Sequence, residues 1–203
     1  EGAEDTEGSN GDAAIQAESF PVDVPPPYIC VDTDEIFEQM KAEFAASSLI
    51  GVDTETDGLD PMQCGLVGMC LASADNEGNV AKGYYIPIAH TDEIGFPLPA
   101  GKGGNFDFNK AKEWFKEFFA DHTPAAGANV PRAFVFHNAK FDLHVLARAF
   151  KIPQADIDNA NIIDTLIAAW MLSPGQSGLG LDNQVMQRLQ HEMIPIRSEE
   201  RRV

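Results

Sequence analysis

A mixed α/β sheet flanked by helices is the fold class that this sequence predicts. Two observations carry the prediction. Three short apolar, strand-like runs follow one another between Leu49 and Ile88, joined by turn-rich stretches. Beyond Asn105, helix-patterned segments then alternate with a fourth such run at 133–136. Three strands in succession form a meander and should be antiparallel neighbours, and the later alternation adds parallel strands and covering helices.

The elements are justified in chain order. Residues 1–27 are rich in Gly, Ala, Glu, Asp and Ser and end in Pro25-Pro26-Pro27. Such a composition buries too little apolar surface to order itself and reads as an acidic disordered linker. The folded domain is expected over 28–203. Asp32 or Thr33 can cap a helix that carries Ile36, Phe37, Met40 and Phe44 on one face. The runs 49–52, 66–72 and 83–88 are the three strands, with Asp75-Asn76-Glu77-Gly78-Asn79 turning between the second and third. A Gly- and Pro-rich loop spans 91–105. Asn109 then caps a helix whose Trp114, Phe115, Phe118 and Phe119 share one buried face. The strand at 133–136 leads directly into a helix over 140–150. A further helix over 163–172 stops at Ser173-Pro174-Gly175, and a last one begins near Leu181.

Bulk properties narrow the function. The chain has 203 residues, 44% of them hydrophobic, so one domain can bury a sizeable core. No apolar run approaches the roughly 18 to 20 residues that cross a membrane, and no secretory signal is visible. The first residue is Glu1, so a processed product or an internal fragment of a longer chain is expected. Three cysteines, Cys30, Cys64 and Cys70, make no Cys-x-x-Cys pair. That sparse count fits a reducing cytoplasm better than a disulfide framework or a zinc ribbon. The net charge is −18, and seven of the negatives lie ahead of Tyr28, where no Lys or Arg offsets them; removing those seven leaves −11. Such a body would hold nucleic acid poorly unless a basic neighbour or bound cations compensate.

Two constellations carry chemistry. Asp53-Thr54-Glu55 closes the first strand of the meander. Residues two apart on a strand face the same way, so both carboxylates can aim at one point. Hard oxygen donors so placed suit Mg²⁺ or Mn²⁺. By itself the pattern is also that of a solvated acidic strand end. The second constellation is His137-Asn138-Ala139-Lys140-Phe141-Asp142, at the passage from strand to helix. Asp142 falls in the first helical turn, where the helix dipole favours its charge, and Asn138 can act as the cap.

Taken in order, Asp53-Thr54-Glu55-Thr56-Asp57-Gly58-Leu59-Asp60, then Tyr85-Ile86-Pro87-Ile88-Ala89-His90, then His137-Asn138 with Lys140-Phe141-Asp142, resemble the 3′→5′ exonuclease domain of bacterial DNA polymerase I. Asp164-Thr165-Leu166 and Leu181-Asp182-Asn183 extend the resemblance, which runs from about Tyr28 to His191. It implies a ribonuclease-H-like fold with a mixed five-stranded sheet, and hydrolysis assisted by two divalent ions, Mg²⁺ or Mn²⁺. It implies that Asp53 bridges both ions, that Glu55 binds one and orients the attacking water, and that Asp142 holds the other. Thr56, Leu59 and Asn138 match positions that contact substrate. The implied partners are a single-stranded DNA 3′ end, a downstream polymerase domain and an upstream domain.

The resemblance breaks at one point. The family's fourth carboxylate lies in a Tyr-x-x-x-Asp or His-x-x-x-Asp motif on a later helix, and none follows Leu181 here. Tyr28-Ile29-Cys30-Val31-Asp32 fits the letters but precedes the first strand, so it is a chance match. The chain alone is therefore expected to be a poor nuclease. A non-catalytic structural module of a polymerase and a ribonuclease-D-like RNA exonuclease are the alternatives. Simpler roles suit the neighbouring residues. His90 and His137 read as hydrogen-bonded structural histidines, and Asp164 as the cap of its helix. Asp57 and Asp60 read as solvated turn residues. Lys140 reads as either a phosphate contact or a surface lysine.

Overall fold

A computed structural model describes residues 28–74, 80–124, 131–175 and 177–193. The expected linker at 1–27 and the turn at 75–79 lie outside the described residues. In chain order the elements are β1 (Tyr28–Cys30), α1 (Asp34–Ala46), β2 (Leu49–Thr56), β3 (Leu66–Ala74), β4 (Val80–Pro87) and α2 (Phe108–Ala120). They continue as β5 (Ala133–Phe136), α3 (Ala139–Phe150), α4 (Gln154–Asn159), β6 (Asn161–Asp164), α5 (Thr165–Leu172) and α6 (Leu181–Leu189).

The strands form one sheet in the order β1-β4-β3-β2-β5-β6. β2, β3 and β4 are the antiparallel meander, and β5 and β6 join it in parallel. The fold class is the one expected, with six strands in place of five. β1 is three residues long and pairs with the far edge of β4, too short to show any periodicity. β6 takes the first part of the apolar run expected as a helix over 163–172; a short apolar run has the same composition in either state. α4, a six-residue helix after Pro153, also left no readable pattern.

Side-chain alternation divides the sheet into two faces. Along β2, Ile50, Val52 and Thr54 are buried while Asp53 and Glu55 are exposed. Met69 and Leu71 of β3, Tyr84 and Ile86 of β4, and Phe134 and Phe136 of β5 join the buried face. There they meet Phe37, Met40 and Phe44 of α1, Phe115, Phe118 and Phe119 of α2, and Val145, Leu146 and Phe150 of α3. Aromatic rings dominate this layer; Phe119 and Phe134, for example, lie 4.7 Å apart between centroids.

One helix cap is as expected and one is not. Thr33, one of the two candidates, caps α1. Asp107 and not Asn109 caps α2, accepting from the backbone N–H groups of Asn109 and Lys110 at 2.8 and 3.0 Å. A cap must precede the amides it serves by two or three residues, which Asp107 does.

Among the described residues the opposite face of the sheet is open. Gly51, Ala72 and Gly83 keep it low, and with Asp53, Cys70, Tyr85, Val135 and His137 they border a groove of ≈ 600 Å³.

Candidate active site on the open sheet face

The site begins where pairing stops. β5 pairs with β2 only from Leu49 to Gly51, so the end of β2 runs past its parallel neighbour. The backbone N–H of Thr54 consequently has no strand partner on that side and donates to Asp142 Oδ1 at 3.0 Å. The Thr54 hydroxyl donates to the same oxygen at 2.6 Å. Asp142 in the first turn of α3 is thereby fastened beneath the strand, between the residues that carry the other two carboxylates.

Asp53 and Glu55 project from the open side of β2, and Cys70 stands opposite Asp53 on β3. One donor atom from each of Asp53, Glu55 and Cys70 lies within 4.8 Å of the others. Asp142 is not one of this group; it approaches from the helix-covered side. Sequence reading therefore found the three carboxylates but missed Cys70. An isolated cysteine in a strand carries no signal until register places it.

The electrostatics agree with the geometry. Burial, then the neighbouring Glu55 charge, raises the Asp53 pKa, although the carboxylate tip reaches solvent. Burial raises Glu55 as well. Asp142 is only 3% exposed. Burial pushes its pKa up to about 6; the Thr54 hydrogen bond opposes the shift, and the Asp53 charge adds to it. The favourable helix-dipole position expected for Asp142 is thus outweighed by desolvation. The Cys70 thiol is pushed up to about 12 by burial and by the charges of Asp53 and Glu55. Among the described residues no salt bridge reaches any of the three carboxylates. Two exposed carboxylates and a thiol, converging without a cationic side chain, fit a divalent cation.

The surroundings are held in place by specific bonds. At the β5–α3 corner, Asn138 adopts a left-handed conformation (φ 71°) and makes no side-chain cap bond. Its expected capping role belongs to Asp164, which accepts from the Asn138 and Ala139 backbone N–H groups at 3.1 and 2.9 Å. Asp164 also caps its own helix α5, as expected, through Leu166 N–H at 2.9 Å. One carboxylate thus serves two helix starts, including the one that carries Asp142; only the β5–β6 pairing makes that possible.

Thr56 donates its hydroxyl to Gly58 O at 2.8 Å, at the base of the β2–β3 loop. Leu59 at the loop tip is 94% exposed and so takes no part in the core. Asp57 and Asp60 do more than meet solvent. Asp57 Oδ1 accepts from Gly65 N–H at 2.5 Å, and Asp60 accepts from Met62 N–H and the Gln63 amide. Arg148 of α3 donates to the Met62 and Cys64 carbonyls and ties this loop to the Asp142 helix.

The histidines are structural in their bonds, as expected. His90 Nε2 meets the Tyr85 hydroxyl at 2.5 Å. The Thr165 hydroxyl donates to Phe136 O, so His137 Nδ1 donates to Thr165 and Nε2 carries the free lone pair. That Nε2 atom is buried and has no hydrogen-bond partner among the described residues. Lys140 is exposed at the start of α3. Asp32, from the chance motif, is engaged by Gly103 N–H at 2.6 Å, away from the carboxylates.

Fold and site define a class: an α/β protein with a converging carboxylate cluster on one sheet face. Residues 28–200 match the family model described as 3′-5′ exonuclease, and the chain belongs to that family. A curated relative, DNA polymerase I of Rhizobium leguminosarum, is 28% identical over 173 residues, covering 83% of this chain and 16% of the relative. The chain therefore spans about a sixth of that relative's length. Among solved structures, Brucella melitensis NrnC aligns with a TM-score of 0.52 and 20% identity, over 89% of this chain and 68% of that one. Escherichia coli RNase D aligns with a TM-score of 0.51 and 17% identity, over 87% and 40% respectively. These structural likenesses establish the shared fold. Among the described residues no helix is long and apolar enough to cross a membrane.

Proposed function

We propose that this exonuclease-family chain removes 3′-terminal nucleotides from DNA by metal-assisted hydrolysis, as the editing domain of a DNA polymerase I. The observation that carries the reading is the set Asp53, Glu55 and Asp142. All three pKa values are raised, and no cationic side chain among the described residues pairs with them. Asp53, Glu55 and Asp142 would hold two divalent cations, Mg²⁺ or Mn²⁺. When bound, such ions supply charge stabilisation to the attacking and leaving oxygens of an in-line displacement.

The chain's own residues supply the rest. Glu55 accepts a hydrogen bond from the attacking water and orients it. Thr54 holds Asp142 through two bonds and sets its distance from Asp53. Leu59, exposed on its loop, offers an apolar surface to the terminal base, and Thr56 and Asn138 serve as polar contacts to the strand. The scissile bond is the terminal phosphodiester, the leaving group is the 3′-oxygen, and the product is a 5′-mononucleotide. With a net charge of −18, the chain relies on bound cations and on an adjoining polymerase domain to bring the DNA strand in.

The test is digestion of 5′-labelled single-stranded DNA by stoichiometric protein with Mn²⁺. The expected result is a ladder shortening from the 3′ end, reduced more than about 100-fold by Asp53→Ala. A ladder unchanged in that variant would overturn the reading. Faster digestion of structured RNA than of DNA would transfer it to the ribonuclease-D type.

A further inference from the structure

We propose that Cys70 is a third donor of the Asp53–Glu55 site, which makes it a mixed oxygen–sulfur centre that takes thiophilic divalent cations, of the Zn²⁺ and Cd²⁺ class, in competition with Mg²⁺. The inference rests on the reading that Asp53 and Glu55 hold cations, and it adds a means by which the metal supply regulates them.

Strand register is its first basis. Asp53 pairs with Cys70 across the antiparallel β2–β3 ladder, so the two side chains leave the sheet on the same face. Glu55, two residues along, shares that face, and donor atoms of all three residues lie within 4.8 Å of one another. Cross-strand neighbours at this spacing can converge on a single ion without any backbone movement. The sulfur's surroundings are the second basis. Cys70 is partly buried and is not in a disulfide, and among the described residues it has no hydrogen-bond partner. Tyr85 is its neighbour on β4, but the Tyr85 hydroxyl is directed to His90 and leaves the sulfur free on the side of the carboxylates. The groove bordered by Asp53 and Cys70 also presents His137, whose buried Nε2 lacks a hydrogen-bond partner among the described residues, so the groove offers a polar group to an occupant.

The chemistry follows from the donor set. Two carboxylates alone favour hard cations that keep their water, such as Mg²⁺. A thiolate shifts the preference toward softer ions. Binding through sulfur breaks the S–H bond and releases that proton to solvent while the electron pair goes to the metal. An ion so held occupies the carboxylates needed for Mg²⁺ or Mn²⁺ and slows hydrolysis.

The experiment is a Cd²⁺ titration of the 203-residue chain, followed by the ultraviolet charge-transfer absorption of a Cd²⁺–thiolate bond. The comparison variants are Cys70→Ser, Asp53→Asn, and Cys30→Ser with Cys64→Ser. Circular dichroism verifies the fold of each. The expected result is one thiolate band per chain, lost in Cys70→Ser, weakened at least about tenfold in affinity in Asp53→Asn, and kept when the other two cysteines are replaced. Zn²⁺ should displace Cd²⁺ at near-stoichiometric amounts, and Mg²⁺ only at about 100-fold excess or more. A band that is absent, or that survives Cys70→Ser, overturns the proposal. Because the readout is not activity, the two readings separate. Asp53-dependent digestion without the band leaves only the nuclease reading standing. The band without digestion leaves only the mixed metal site.

Discussion

Two groups of carboxylates border this sheet, one around Glu43 and one around Asp53, and their surroundings treat them in opposite ways. On the helix-covered face, Glu43 of α1 accepts from Ser73 Oγ at 2.6 Å, Lys82 Nζ at 2.8 Å and the Tyr84 hydroxyl at 2.8 Å. Burial disfavours its charge, but those donors outweigh burial and lower its pKa. Asp53 and Glu55 on the open face, and Asp142 reaching Thr54 from the helix-covered side, are desolvated with no salt bridge among the described residues, and their pKa values rise. Glu43 is therefore a fastening between α1 and the β3–β4 hairpin. The other three carry charges that burial disfavours and that no salt bridge among the described residues offsets. A pKa raised by burial and by like charge, in a groove, is the signature of a functional site.

Four further experiments sharpen that contrast, after the loss of activity expected for Asp53→Ala. The largest effect on stability should come from Asp142. Its ordinary value of 3.8 rises to about 6 in the fold. Between those values the folded state holds more protons than the unfolded one, so stability falls as pH rises through this window. Asp142→Asn keeps an acceptor for Thr54 and removes the charge. In metal-free protein it should stabilise by about 2 to 3 kcal/mol above pH 6, with the gain vanishing below pH 4, as read by urea midpoints across that range. A variant without this pH-dependent gain would show that Asp142 is ordinary.

Glu43→Ala should act in the reverse sense. It leaves Ser73, Tyr84 and Lys82 without their acceptor and should cost about 2 kcal/mol in a urea titration at neutral pH. Metal binding per folded molecule should be unchanged; a loss of Mn²⁺ affinity would blur the distinction between the faces. Asp164→Ala removes the cap shared by α3 and α5 and should cost about 1 to 2 kcal/mol. It should also increase hydrogen exchange at Asn138 and Ala139, and normal protection there would refute the shared cap. Leu59→Ala should change stability by less than about 0.5 kcal/mol, because the side chain is 94% exposed. If Leu59 meets the terminal base, the same variant should nonetheless raise the KM for single-stranded DNA.

Much of this protein was legible from the residue order. The period-two alternation of Ile50, Val52 and Thr54 against Asp53 and Glu55 set both the strand and the shared direction of two carboxylates. The aromatic spacing of α2 set its buried face, since a helix places Phe115, Phe118 and Phe119 on one side. These are local consequences of backbone geometry and need no knowledge of the partner. Tertiary structure decided what depends on which strands meet. The early end of the β2–β5 ladder gave Asp142 its place under Thr54. The β5–β6 pairing brought Asp164 to a second helix. The β2–β3 register set Cys70 opposite Asp53. Long-range pairing follows from the packing of the whole core, so these three placements are properties of the assembled sheet and not of any one segment.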